Sequence, residues 1–375
     1  MTSKTIDINT LAQHGGSEFR VGRGLIGAVE RSVTFSTPTL QEPPVYSRLG
    51  NTNNHRELES MLATLEGGDE AIAVNSGMSA LTLLFFTLAR PGDHVLCPDI
   101  CYGGTNNFLA KVLTHWGVTT TFAPISEWNK ALTPKTKFVI CESISNPFCI
   151  PQDIASVSSF AKRHNLISIC DNTFASPVLC KPLKFGFDYV MESATKFLNG
   201  HADVIAGMVS GSRAAIAPLR TSHSYLGTFL PPDQCSMLLR GIRTLKLRVD
   251  QHSRNAKAVS ESLKVMPEVE KVYYGTPPNK DLSFTEGFGG MIGVVFKKSV
   301  SMEAFMRGFK LIKDVPSLGS TESTATVPAF TTNWFMSEEE RKKFGIESHL
   351  VRFSIGLENP NDLIADIRQS LNHSS

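Results

Sequence analysis

From about residue 51 onward, apolar positions fall into two alternating textures. HRELESMLATLE (55–66) carries Leu58, Met61, Leu62 and Leu65 on one face, which predicts an amphipathic helix. AIAV (71–74) is a short apolar run and reads as a strand. The pattern continues with GMSALTLLFFTLA (77–89, helix), HVLCP (94–98, strand), TNNFLAKVLTHW (105–116, helix) and TTTFAP (119–124, strand). KFVICES (137–143), LISICD (166–171) and YVMES (189–193) read as strands, with a helix over IASVSSFAKRHN (154–165). Short apolar strands separated by helices of about a dozen residues predict βαβ units and a mostly parallel sheet. Strands of such a sheet are covered on both faces, so they read as continuous apolar runs.

The first 48 residues are rich in Gly, Pro, Ser and Thr and lack this periodicity, so they read as an extended arm. Near Gly241 the texture changes again. RGIRTLKLRVDQHSRNAKAVSESLK (240–264) predicts one long charged helix, and VEKVYY (269–274), MIGVVF (291–296) and VRFSIG (351–356) predict three strands of a smaller α+β unit. The expected organisation is an arm over 1–48, a large α/β domain over 49–235 and a C-terminal domain over 236–375. No internal repeat or low-complexity tract interrupts it.

Composition narrows the function classes. The chain has 375 residues, 41% of them hydrophobic and 19% charged, enough to bury a large core and too apolar for disorder as the main state. Lys and Arg number 37 against 35 Asp and Glu. That balance offers no basic surplus for nucleic acid or an anionic membrane, and leaves a small molecule or another chain as partner. The seven cysteines include no CxxC pair, so no zinc site or disulfide framework is indicated. The polar N-terminus has no apolar core of a signal peptide, and the longest apolar stretch, Ala80–Ala89, is too short to span a bilayer. A cytoplasmic protein is expected.

Four motifs carry candidate chemistry, each at the end of a predicted strand. Lys196 lies in Ser193-Ala-Thr195-Lys196-Phe-Leu-Asn-Gly200, just beyond YVMES. A desolvated lysine can form a Schiff base, and hydroxyls at 193 and 195 suit a phosphate held beside it; the bland alternative is a solvated lysine in a turn. Asp171 ends LISICD, 25 residues before Lys196. A carboxylate there can keep a pyridine nitrogen protonated, or it can simply cap the turn that follows. Asn75-Ser76-Gly77-Met78 opens a helix whose free N–H groups form a phosphate cradle, although plain capping by Ser76 explains the same residues. Tyr102, in CYGGT after HVLCP, can stack on a planar ring, a weak signal alone. Gly22-Arg-Gly24-Leu-Ile-Gly27 matches GxGxxG but lacks the strand before it and the helix after it, so it reads as a loop.

Together these residues resemble the cysteine/methionine-metabolism branch of the fold-type I pyridoxal 5′-phosphate (PLP) enzymes, the transsulfuration family of cystathionine γ-synthase, cystathionine γ-lyase, cystathionine β-lyase and methionine γ-lyase. The resemblance runs from Thr34 to Ile367. It rests on YSRLGN (46–51), SGMSAL (76–81), YGGT (102–105), ESISNP (142–147), DNTFASP (171–177), SATKFLNGHAD (193–203), RGIRTLKLR (240–248), SLGSTES (317–323) and VRFSIGLE (351–358). It implies a large, mostly parallel sheet domain with helices on both faces, plus a smaller C-terminal domain. By the same resemblance, PLP would be bound covalently to Lys196 as an internal aldimine, with Asp171 on its ring nitrogen and Tyr102 stacked on the ring. Gly77, Met78, Ser193 and Thr195 would bind its phosphate. Tyr46 and Arg48 would reach the phosphate of a neighbouring subunit, making an obligate dimer that pairs into a tetramer. Arg352 would grip the substrate α-carboxylate with help from Asn146 and Ser317. Lys196 and Tyr102 would move protons, Tyr102 with a lowered pKa.

The resemblance places an amino-acid substrate in the site, cleaved or substituted at its β or γ carbon. Leu318 and Glu322 resemble γ-acting members, and Glu322 is a candidate substrate contact. Gly104 stands where typical methionine γ-lyases carry cysteine. GNTNN (50–54) replaces the usual GNPT, Thr332-Asn333 replaces Thr-His, and the stretch between Gly275 and Gly287 is short. The expected activity is γ-elimination or γ-replacement on cystathionine, homocysteine or an O-acylhomoserine. The alternatives are a cystathionine or cysteine-conjugate β-lyase, a specialised γ-replacement enzyme, and a noncatalytic ligand-binding homologue.

Overall fold

The computed structural model describes residues 6–20, 22, 24–37, 39–275, 287–334 and 336–374. The stretch thought short at 275–287 therefore lies almost wholly outside the described residues. Two sheets organise the rest. The larger has seven strands, β1 Glu70–Val74, β2 His94–Cys97, β3 Thr119–Phe122, β4 Thr136–Glu142, β5 Ile167–Asp171, β6 Tyr189–Glu192 and β7 Gly207–Gly211. Their spatial order is β1-β7-β6-β5-β4-β2-β3. Neighbours from β3 to β6 pair parallel, whereas β7 is antiparallel to both β6 and β1. Two reversals restore the direction, so β1, β2, β4, β5 and β6 all point their carboxyl ends to one edge, where ligands bind in such sheets.

Apolar clusters cover both faces of this sheet, as its unbroken apolar strands require. One gathers Leu58, Leu62, Trp128 and Phe197; the other gathers Leu81, Phe85, Phe108 and Phe138. Helix α1 spans Ile8–His14 and α2 spans Asn53–Glu66. Thr52 precedes α2 but makes no side-chain cap. The Glu30 carboxylate does so instead, accepting the Asn53 backbone N–H at 2.8 Å and its side-chain amide at 2.9 Å. Asn54 adds bonds to Ala28 O and Glu30 N. Asn53, which departs from the GNPT pattern, and the adjacent Asn54 thus tie the arm to α2. Within Gly22–Gly27, the described residues Gly22, Gly24, Leu25 and Ile26 form bends and Gly27 is irregular, as expected of a loop.

The second sheet holds β8 Val269–Tyr273, β9 Met291–Phe296, β10 Lys313–Asp314, β11 Thr324–Thr326 and β12 Leu350–Ser354, ordered β10-β11-β12-β9-β8 around a third core. Two expected helices differ from their prediction. The long helix over 240–264 is two, Pro232–Ile242 and Leu245–Leu263. Arg248 reaches back between them, donating to Gly241 O at 2.8 Å and to Thr244 Oγ1 at 3.2 Å. The helix over 105–116 begins earlier, as α4 Gly103–Asn107, then widens to a π-turn over Phe108–Val112 and tightens to a 3-10 turn over Leu113–Trp116. No described helix is long and apolar enough to cross a membrane.

Candidate active site

Five strands deliver the candidate residues to one edge. β1 leads through Asn75-Ser76 into helix α3, Gly77–Leu88. β2 leads to Tyr102, the residue that starts α4. β4 ends in Glu142, β5 in Asp171, and β6 stops one residue before Ser193. A pocket of about 350 Å³ opens there. Gly77, Met78, Tyr102, Asp171, Ser193, Thr195 and Lys196 line it from the large sheet side. Asn146, Ser317 and Arg352 complete it, Arg352 coming from β12 of the second sheet.

Lys196 is half-buried, and its Nζ donates to Ser317 Oγ at 2.9 Å. Burial, and then the Arg352 charge, pull its pKa from 10.5 down to about 8. Both effects favour the neutral amine, the form that attacks a carbonyl. Arg352 is 2% exposed. Its guanidinium donates to Asn146 Oδ1 at 3.0 Å and to Ser317 O at 3.3 Å, and stands 5.9 Å from the Phe174 ring centre. These two bonds use two of its five N–H donors, and Arg352 lines the pocket, where a guanidinium can receive a carboxylate.

Asp171 accepts the Thr173 N–H at 3.0 Å and its hydroxyl at 2.5 Å, both on Oδ1. Burial raises its pKa and the two Thr173 bonds lower it, with a net rise. Thr173 also accepts the Ser193 N–H at 2.8 Å, so one threonine joins the two strand ends. Sequence reasoning saw only a turn there. Tyr102 differs from expectation: burial first, and then Asp171, raise its pKa, while Arg352 only partly opposes them. In this structure, therefore, its phenol is not acidified. Gly104 packs under its ring, because a Cβ at 104 would fall 2.4 Å from Tyr102 Cε1.

Glu142 also lines the pocket, although sequence reasoning saw it only as part of ESISNP. It is 8% exposed, and burial with the nearby Asp171 push its pKa up to about 8. Thr332 and Leu318 line the pocket as well. Asn333 is buried and contacts Met336. Glu322 is not brought to the site: its side chain is exposed, while the adjacent Ser323 turns inward to Glu358. Tyr46 and Arg48 do not line this pocket either. They border a separate hollow with Phe229 and Asp233, where Arg48 donates to Ser224 O at 2.5 Å.

The profile of the family described as Cys/Met metabolism PLP-dependent enzyme matches residues 16–372. The chain belongs to this family. L-Methionine γ-lyase of Pseudomonas putida is 37% identical over 383 residues, covering 96% of each chain. Cystathionine β-lyase of Lactococcus lactis subsp. cremoris is 34% identical over 376 residues, covering 97% of this chain and 98% of the relative. The crystal structure of cystathionine γ-lyase from Lactobacillus plantarum with L-serine superposes with a TM-score of 0.93 at 34% identity, covering 98% and 99% of the two chains.

The pocket fits the cofactor of a PLP-dependent enzyme. Among the described residues, no acceptor meets the N–H groups of Gly77 and Met78 at the start of α3. A Cβ at Gly77 would sit 2.7 Å from Ser193 Cβ, so only glycine lets this helix end lie against the serine. A helix end of this kind can cradle a phosphate, and Lys196 and Asp171 line the same pocket. Thr195 is partly committed, since its hydroxyl donates to Ala206 O at 3.1 Å and accepts the Ala206 N–H at 3.0 Å.

Proposed function

We propose that this PLP-dependent enzyme cleaves or forms carbon–sulfur bonds at the γ carbon of cystathionine, homocysteine or an O-acylhomoserine. The observation that carries the reading is the pairing in one pocket of a lysine amine depressed to about 8 with a buried, incompletely partnered guanidinium. Lys196 would hold the cofactor covalently, and Asp171 would hold its ring nitrogen. Gly77 and Met78 would bind the phosphate through their amides and Ser193 through its hydroxyl. Thr195 can donate only after turning its proton from Ala206 O. When bound, PLP supplies the electron sink that stabilises a carbanion at the substrate α carbon.

The remaining work belongs to the chain. Arg352, steadied by Asn146 and by Ser317 O, binds the α-carboxylate and orients the α C–H. Lys196 Nζ then removes that proton, its depressed pKa leaving far more of it as the neutral base near neutral pH than a solvated lysine would have. Ser317 Oγ holds the amine in place meanwhile. The Tyr102 phenol, with its raised pKa, suits proton donation to a leaving group better than proton removal.

Leu318 on the pocket wall supports γ chemistry, whereas Glu322 lends no support because its side chain points to solvent. Gly104 argues against a methionine γ-lyase, because it stands where the resemblance gives typical methionine γ-lyases a cysteine. Tyr46 and Arg48, outside their own pocket, are proposed to complete the site of a second copy in a dimer or tetramer. The buried free thiols of all seven cysteines fit the reducing cytoplasm. Product analysis of the purified enzyme with cystathionine, homocysteine, cysteine and O-acylhomoserines tests the reading. Ketobutyrate or a new thioether supports it; pyruvate as the main product from cystathionine refutes γ chemistry in favour of a β-lyase.

A further inference from the structure

Glu142 closes β4 in the wall of the pocket, and its two oxygens serve different loops. Oε1 accepts the backbone N–H of Tyr102 at 2.7 Å. Oε2 accepts the backbone N–H of Asn146 at 2.9 Å. The first loop follows β2 and carries the aromatic ring. The second follows β4 and carries the amide whose Oδ1 receives Arg352. Across the ladder, Glu142 is the register partner of Asp171, so the same strand end also abuts the carboxylate assigned to the ring nitrogen. The two carboxylate oxygens take one amide each, whereas a hydroxyl residue offers only one oxygen.

We infer that Glu142 is a positioning residue of this site, its one carboxyl group fixing together the loop that carries the Tyr102 ring and the loop that carries the Asn146 amide. The inference rests on the functional reading above and deepens it. Glu142 acts through its neighbours. Burial, and then Asp171, outweigh its two backbone bonds and the Arg352 charge, which favour the carboxylate, and push its pKa up to about 8. A cation held at Asp171 removes the second opposing influence and so strengthens the clamp in the loaded enzyme.

Two variants of the holoenzyme test this. Glu142→Gln keeps one acceptor oxygen but turns an amide NH2 toward the other N–H. Glu142→Leu keeps the volume and removes both acceptors. Steady-state constants are taken per mole of bound PLP, which cancels any loss of folded protein, and the visible circular dichroism of the bound cofactor reports the ring stacked on it. KM for the amino-acid substrate is expected to rise about tenfold in Glu142→Gln and further in Glu142→Leu, with kcat changing less, because a buried N–H without an acceptor displaces its loop. The visible dichroic band is expected to change in both. Asn146→Ala is expected to raise KM while leaving that band unchanged, which separates the two arms of the clamp.

A purely structural role for Glu142 predicts lower thermal stability with native KM and a native band per bound cofactor, and that result in Glu142→Gln overturns the inference even if Glu142→Leu fails to fold. Wild-type protein that develops no visible band with PLP would instead overturn the functional reading itself.

Discussion

Removing the Arg352 charge should slow the covalent attachment of PLP to Lys196 through the amine's own proton equilibrium. The structure sets the Lys196 pKa near 8 against an ordinary 10.5, a difference of about 3 kcal/mol against the charged amine. At pH 7 about one molecule in ten would then carry the reactive neutral amine, against about one in three thousand for a solvated lysine. Burial is the larger cause and Arg352 the smaller. Arg352→Met, similar in length and uncharged, should therefore raise the midpoint by about one pH unit or less. Attachment at pH 7 should slow by up to about tenfold. The assay mixes cofactor-free protein with PLP between pH 6.5 and 11 and follows the growth of the visible band, with far-ultraviolet circular dichroism confirming the fold at each pH. A wild-type midpoint at 10 or above would refute the depressed amine, and a midpoint in Arg352→Met at or below wild type would refute the role of Arg352.

Other consequences concern the frame around the site. His223 and His252 are fully buried, and burial holds both near pKa 4, below the ordinary 6.5. Their stabilisation is complete above pH 6.5 and lost as pH falls through 4, about 3 kcal/mol for each. His223→Gln should flatten the fall in urea midpoint between pH 7 and 4.5, and an unchanged slope contradicts this. Glu192, buried against Glu66, has its pKa raised by burial and by Glu66. Its stabilisation is therefore present below the ordinary carboxyl range and lost as pH rises. The urea midpoint of Glu192→Gln should improve relative to wild type from pH 5 to pH 8; a constant difference would count against the buried acid pair. Glu30→Ala should remove the cap on α2 at a cost of about 1 kcal/mol and hasten proteolysis within residues 6–37. Unaltered cleavage of the arm would show that the Asn53 contact does not hold it.

Much of this architecture was legible because parallel strands announce themselves as unbroken apolar runs. LISICD ends on Asp171 and YVMES stops just short of the turn that carries Lys196, so the apolar runs alone point to both residues. What stayed hidden depends on contacts distant in sequence. β7, GMVSG, has glycine at both ends and too few apolar residues to read as a strand, yet it bridges β1 and β6. The break at Arg243-Thr244 reflects Arg248, whose guanidinium also holds the carbonyls of Phe197 and Leu198 just beyond Lys196. Gly241 itself lies against Asn199 O, where a Cβ would come within 2.2 Å. Glu142 and Thr173 gave no local signal, since their work is to join strands whose order only the fold defines. The direction of the Tyr102 pKa could not be read from nearby basic residues either, because burial outweighs them.

The central claim is that Lys196 is the residue to which PLP is joined. Incubating the protein with PLP, reducing it with borohydride and mapping the peptides by mass spectrometry tests this directly. The account predicts a pyridoxyl group on the peptide bearing Lys196 and its loss from that peptide in Lys196→Ala. A stoichiometric adduct on another lysine, with the Lys196 peptide unmodified, would contradict it.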